Sequence, residues 1–105
     1  MNDITVTELK QKIDQNQDFQ LIDVREPHEY EVANLGGELI PLGHILEEVE
    51  RISRTKPVVV QCRSGVRSAN AIAQLESLHG FTNLYNLRGG IKAWAAEIDS
   101  SKSVD

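Results

Sequence analysis

The sequence predicts an α/β fold, a parallel sheet with helices on both faces. Short apolar runs alternate along the chain with segments of helical periodicity, as in repeated strand–helix units. The run Val58-Val59-Val60 is β-branched throughout and offers no polar residue to solvent, the pattern of a strand covered on both sides. It leads through a short glycine-containing loop into the helical pattern Ser68-Ala69-Asn70-Ala71-Ile72-Ala73-Gln74-Leu75, which makes a strand–loop–helix unit.

The remaining elements follow in order. Thr5-x-x-Glu8 has the form of a capping box and opens a helix over Leu9 and Ile13. Asn16-Gln17-Asp18 ends it, and Phe19-Gln20-Leu21-Ile22-Asp23-Val24 predicts a strand. Pro27 suits the first turn of a short helix reaching Val32. Gly36-Gly37 is a turn, and Glu38-Leu39-Ile40 predicts an extended segment stopped by Pro41. Ile45, Leu46, Val49 and Ile52 share one helical face, which predicts a helix there. A helix from about Arg67 to His79 takes Gly80 as the residue just past its end. Leu84-Tyr85-Asn86-Leu87 is the last predicted strand, and Arg88-Gly89-Gly90 turns into a helix carrying Ile91, Trp94, Ala95 and Ile98.

At 105 residues the chain is one domain, expected over 1–98, with a polar and flexible tail over 99–105. A chain of this size buries roughly two-thirds of its extended surface, enough for a core without covalent staples. One cysteine excludes an intramolecular disulfide. No secretory pattern follows Met1 and no apolar run reaches membrane-span length, so a soluble cytoplasmic setting is expected, where a thiol stays reduced. A net charge of −5 argues against nucleic-acid binding. One cysteine and three scattered histidines give no ligand spacing, so no metal or cofactor is expected. His28, His44 and His79 are given no catalytic role.

The charge is unevenly spread. Between Arg51 and Leu75 there is no Asp or Glu, while Arg51, Arg54, Lys56, Arg63 and Arg67 all fall there. The basic segment surrounds Cys62. That thiol ends an apolar strand, the position where open parallel sheets place ligand chemistry. A helix start supplies free N–H groups, and nearby arginines supply charge; both favour thiolate over thiol. Gly65 allows the backbone to turn its N–H groups inward. Arg67 reaches back towards an anion, and Ser64 and Ser68 offer hydroxyl hydrogen bonds. Set against this is the plain alternative of a small buried hydrophobe at a strand end.

Three motifs in order resemble the rhodanese homology domain over roughly Ile4 to Ile98: Leu21-Ile22-Asp23-Val24-Arg25-Glu26-x-x-Glu29-Tyr30, Cys62-Arg63-Ser64-Gly65-Val66-Arg67-Ser68, and Leu87-Arg88-Gly89-Gly90-Ile91-x-x-Trp94. The resemblance implies a five-stranded parallel sheet flanked by helices, and sulfur transfer. Cys62 would take the outer sulfur of thiosulfate or of a donor persulfide and carry it as a persulfide. Arg63, Ser64, Gly65, Val66, Arg67 and Ser68 would form the anion-binding loop, with Arg63 and Arg67 on the anionic donor. Asp23 and Arg25 would hold the loop or rim the pocket, or form a local ion pair capping a strand. Glu29, Tyr30 and Gly89-Gly90 would be structural, with Trp94 in the core.

The family usually carries a histidine-containing stretch before a Gly-Ala-x-x-Ile-Pro segment. Here the stretch is Ala33-Asn34-Leu35-Gly36-Gly37-Glu38-Leu39-Ile40-Pro41. That variant is similar to the rhodanese domain of E1-like adenylyltransferases of molybdopterin and thiamine biosynthesis. It implies a cysteine desulfurase or another persulfide carrier as donor and a sulfur-carrier protein as acceptor. Two other classes compete. Cysteine phosphatases and arsenate reductases place arginine six residues after the cysteine; here the sixth residue is Ser68 and the arginine is the fifth. Many domains that resemble this family have lost the cysteine and serve as docking or regulatory modules; this chain keeps it. A sulfide or redox sensor would use the same persulfide chemistry.

Overall fold

The computed structural model describes residues 1–102. It contains one sheet of five parallel strands: β1 (Asn2–Ile4), β2 (Gln20–Asp23), β3 (Glu38–Leu39), β4 (Val58–Gln61) and β5 (Leu84–Leu87), in the order β1-β5-β4-β2-β3. The helices are α1 (Val6–Asp14), α2 (Pro27–Val32), α3 (Val66–His79) and α4 (Gly90–Glu97). Among the described residues no helix is long and apolar enough to cross a membrane.

β4 is the centre of the sheet, and its residues are buried on both faces. Alternation of side chains along a strand divides the core accordingly. Val58, Val60 and Cys62 pack with Ile22, Val24, Ala71, Ile72 and Leu75 under α3. Val59 packs with Leu9, Leu87 and Trp94 under α1 and α4. Burying these side chains is the main force holding helices to sheet. Parallel register sets Ile22 beside Val60 and Asp23 beside Gln61, and Val60 beside Asn86. The carboxyl ends of β2, β4 and β5 therefore lie together.

The expected cap of α1 is present: Glu8 N–H donates to Thr5 Oγ1 at 3.1 Å and Thr5 N–H to Glu8 Oε1 at 3.0 Å. Gly80 ends α3 with φ +68°. β1, which the residue pattern did not place, supplies the fifth strand. It is an edge strand with only Ile4 buried, so two of its three residues carry no apolar signal.

The helix expected over Ile45 to Ile52 does not form. Two short 3₁₀ turns, Leu42–His44 and Val49–Arg51, stand in its place. Ile45 and Ile52 are buried as their spacing required and Val49 partly so, but Leu46, expected on the same face, is exposed; the ends of the segment are fixed from outside. Leu42 N–H donates to Val24 O at one end, and the Gln20 amide holds Arg51 O and Ser53 N–H at the other. Glu47, Glu48 and Glu50 would also oppose the dipole in the last turns of an α-helix. Past α4, Asp99 to Lys102 form a hydrogen-bonded turn; the rest of the tail, 103–105, lies outside the described residues.

Candidate active site

Cys62 follows the last residue of β4, and Arg63, Ser64 and Gly65 carry the chain into α3. Gly65 has φ +104°, a conformation that favours glycine. It turns the loop back over the sulfur. Gly65 N–H donates to Cys62 Sγ at 3.1 Å and Ser68 N–H at 3.4 Å, with the Ser68 hydroxyl at 3.3 Å. The Ser64 N–H points to the same atom. The thiol is buried.

Burial by itself pushes the Cys62 thiol up. The Ser68 hydroxyl and the N–H groups of Ser68, Gly65 and Ser64 outweigh it and hold the thiol below its ordinary value. Convergent N–H groups at a helix start stabilise negative charge on sulfur without a neighbouring base.

The back of the loop is held by α4. Ile91 N–H donates to Cys62 O and Lys92 N–H to Arg63 O, both at 3.0 Å. This approach requires glycine at position 90. A Cβ there would overlap the Cys62 carbonyl oxygen and lie 2.6 Å from that of Arg63. From β5, Asn86 Nδ2 donates to Gly65 O at 3.1 Å, and Asn86 Oδ1 receives the Ser68 hydroxyl at 2.5 Å.

The arginines divide. Arg67, on the first turn of α3, forms a two-pronged ion pair with Glu29 of α2, Nη1–Oε1 2.6 Å and Nη2–Oε2 2.9 Å. The Arg67 guanidinium holds the Glu29 carboxyl down to about 2. Glu29 also accepts Glu26 N–H at 3.1 Å, so it caps α2 while tying α2 to α3. Arg25 is buried against Asp23, Nη2–Oδ2 2.8 Å, and its Nη2 donates to Ala33 O at 2.8 Å. Asp23 lies between Ile22 and Val24, both packed on the Cys62 face, so its carboxylate turns to the other face. Of the two roles expected for Asp23 and Arg25, the structure places them as an internal ion pair at the strand end. Arg63 is half-buried, while Ser64 and Val66 are exposed beside the loop.

Sequence reasoning named the loop and missed two of its supports. In sequence Asn86 has the look of an ordinary strand residue, although asparagine is depleted in strands and its place beside the Gly-Gly turn is a signal. Glu29 was assigned a structural role without its partner. The pairing of Glu29 with Arg67 spans 38 positions, a separation that no local pattern shows.

The arrangement directs a ring of N–H groups at one sulfur atom. The family model for the rhodanese-like domain matches residues 5–97. YqhL of Bacillus subtilis is 44% identical over 84 residues, covering 79% of this chain and 66% of YqhL. The probable adenylyltransferase/sulfurtransferase MoeZ of Mycobacterium tuberculosis is 37% identical over 98 residues, covering 90% of this chain and 25% of MoeZ. The chain thus spans about two-thirds of one relative and a quarter of the other. A sulfurtransferase of Allochromatium vinosum is 36% identical, with 90% of this chain and 89% of that protein covered. The crystal structure of a rhodanese-like domain protein from Staphylococcus aureus superposes with a TM-score of 0.84 at 29% identity, over 100% of this chain and 99% of that one. Fold and sequence likeness agree: the chain belongs to the rhodanese-like domain family.

Proposed function

We propose that the chain is a sulfurtransferase that carries sulfane sulfur as a persulfide on Cys62. The observation that carries this reading is the convergence of loop N–H groups on the sulfur of the only cysteine. With thiosulfate, the thiolate forms a bond to the outer sulfur, the S–S bond of the donor breaks, and sulfite leaves with the electron pair. A nucleophile such as cyanide or a thiol then attacks the outer sulfur of the persulfide and releases the Cys62 thiolate. No external oxidant or reductant enters the cycle.

The names of the sulfurtransferase relatives support this class. On this reading the working donor is a protein persulfide, loaded by a cysteine desulfurase, and the acceptor is a sulfur-carrier protein. A reducing, cytoplasmic setting fits a lone thiol kept ready for loading. Arg67 contributes charge to the donor site while paired with Glu29, and Arg63 lies beside it in the loop.

The test is intact mass before and after incubation with thiosulfate, and again after cyanide, with Cys62→Ser as control. The expected result is a gain of one sulfur atom that cyanide removes and that the serine variant never shows. No gain from thiosulfate, and none from a cysteine desulfurase supplied with cysteine, would overturn the proposal.

A further inference from the structure

The Ser68 hydroxyl has one proton and stands between two acceptors. Its Oγ lies 2.5 Å from Asn86 Oδ1 and 3.3 Å from Cys62 Sγ. The other end of the Asn86 amide decides how it faces. Nδ2 donates to the Gly65 carbonyl at 3.1 Å, and turning the amide over would set two oxygens against each other. Oδ1 therefore meets Ser68 as an acceptor, and the serine proton lies in that short gap. The sulfur then faces lone pairs on Oγ. A neutral thiol can donate its S–H to them. A thiolate has nothing to donate and requires a proton from its neighbour.

We propose that Asn86 is a positioning residue for Cys62: it holds the Ser68 proton while the sulfur is neutral and yields it when the sulfur is charged. In the thiol state the chain of donors runs from Cys62 S–H to Ser68 Oγ, and from Ser68 O–H to Asn86 Oδ1. When the thiol proton leaves to solvent, the hydroxyl turns about its C–O bond and donates to the thiolate. Asn86 gives up a neutral hydrogen bond and the sulfur gains a charge-assisted one, which is the stronger of the two. Once Cys62 has bonded a second sulfur, the negative charge sits on that outer atom. Sγ is then neutral and the hydroxyl returns to Asn86. The rotor follows the charge through the cycle, and a strand residue with no contact to the donor sets how readily the thiolate forms.

The relay rests on Cys62 acting as proposed above, yet it is tested without sulfur transfer. The midpoint of thiolate formation is read from ultraviolet absorbance against pH, with Cys62→Ser as the blank. Wild type, Asn86→Ala, Ser68→Ala and the double variant are compared. The charged groups around the loop are Arg63 within it, Arg67 on α3 with Glu29 on α2, Asp23 and Arg25 at the end of β2, and Lys92 on α4, while Arg88 after β5 pairs with Asp3; all four proteins keep them. Asn86→Ala frees the proton for sulfur and moves the midpoint down by roughly half a unit to one unit. Ser68→Ala moves it up, and Asn86→Ala added to Ser68→Ala moves it no further.

If Asn86→Ala lies outside the range of stable variants, Asn86→Val, whose β-branched side chain suits a strand, replaces it. A midpoint that stays or rises in the asparagine variant, or one that falls equally with and without Ser68, overturns the relay. A protein that shows the coupled midpoints but takes up no sulfur overturns the proposed function and leaves the relay standing.

Discussion

Two helices of this protein begin in the same way and use their beginnings differently. Both α3 and α4 start after a glycine in the left-handed region, Gly65 at φ +104° and Gly89 at φ +77°. Every helix start leaves N–H groups without partners. At α3 the Ser68 N–H, with those of Ser64 and Gly65 in the loop before it, points to the Cys62 sulfur. At α4 such groups are spent on the carbonyls of Cys62 and Arg63. One start faces the sulfur; the other holds in place the loop that carries it. The comparison teaches that a charge-stabilising site needs a second layer to keep its dipoles aimed, and that the same local motif can serve either layer.

Substitutions at the two starts separate the layers. Gly90→Ala is expected to be the most damaging, because its Cβ would meet backbone carbonyls that have no freedom to move aside. A loss of about 3 kcal/mol or more is expected in urea unfolding, together with loss of sulfur uptake. Gly65→Ala carries the strain of its φ but meets no atom closer than 3.6 Å. It should cost roughly 1–3 kcal/mol and raise the midpoint of thiolate formation, since the N–H groups would no longer converge. Equal stability losses for the two variants would remove the distinction between the layers.

Arg67→Ala tests the charge beside the sulfur. We expect kcat/KM for thiosulfate to fall about tenfold, with Glu29 released to an ordinary carboxyl. Unchanged kinetics would leave Arg67 solely as the tie between α2 and α3. The smallest effect is expected from Glu29→Gln. The Glu29 carboxyl is lowered from 4.5 to about 2 by the Arg67 guanidinium. A lowered carboxyl contributes stability above its unfolded-state value and loses it as pH falls through the folded one. Wild-type stability should therefore drop more steeply between about 4.5 and 2 than that of the variant, measured by unfolding in urea across that range. Parallel curves would mean that the pair adds nothing to acid stability.

Local patterns were enough for much of the fold. The Thr5 and Glu8 capping box, the strand Val58 to Val60, the helix up to His79 and the glycine after it all depend on neighbours within a few residues, and all form. Periodicity also marked Ile45 and Ile52 as buried. It did not say what backbone would bury them: the 3₁₀ turns leave Leu46, on the same expected face, exposed, and the choice of backbone fell to anchors on Val24 and Gln20. β1 escaped because an edge strand with one buried residue has no pattern to read.

The candidate site divides along the same line. Sequence by itself determined the sulfur, the loop and the glycine that bends it, because a strand end, a turn and a helix start are written in consecutive residues. Tertiary structure alone decided which partners complete them. Asn86, Gly90 and Glu29 come from three other elements, and packing brings them to the loop. That is also why Asp23 and Arg25, two residues apart and named with the site, pair with each other: alternation along β2 and the burial of Ile22 and Val24 set the Asp23 carboxylate against Arg25, which also donates to the Ala33 carbonyl, with Glu29 and Arg67 within electrostatic reach. Consecutive residues can specify what chemistry is available, but only a packed sheet sets the distances at which donors and acceptors compete for one proton.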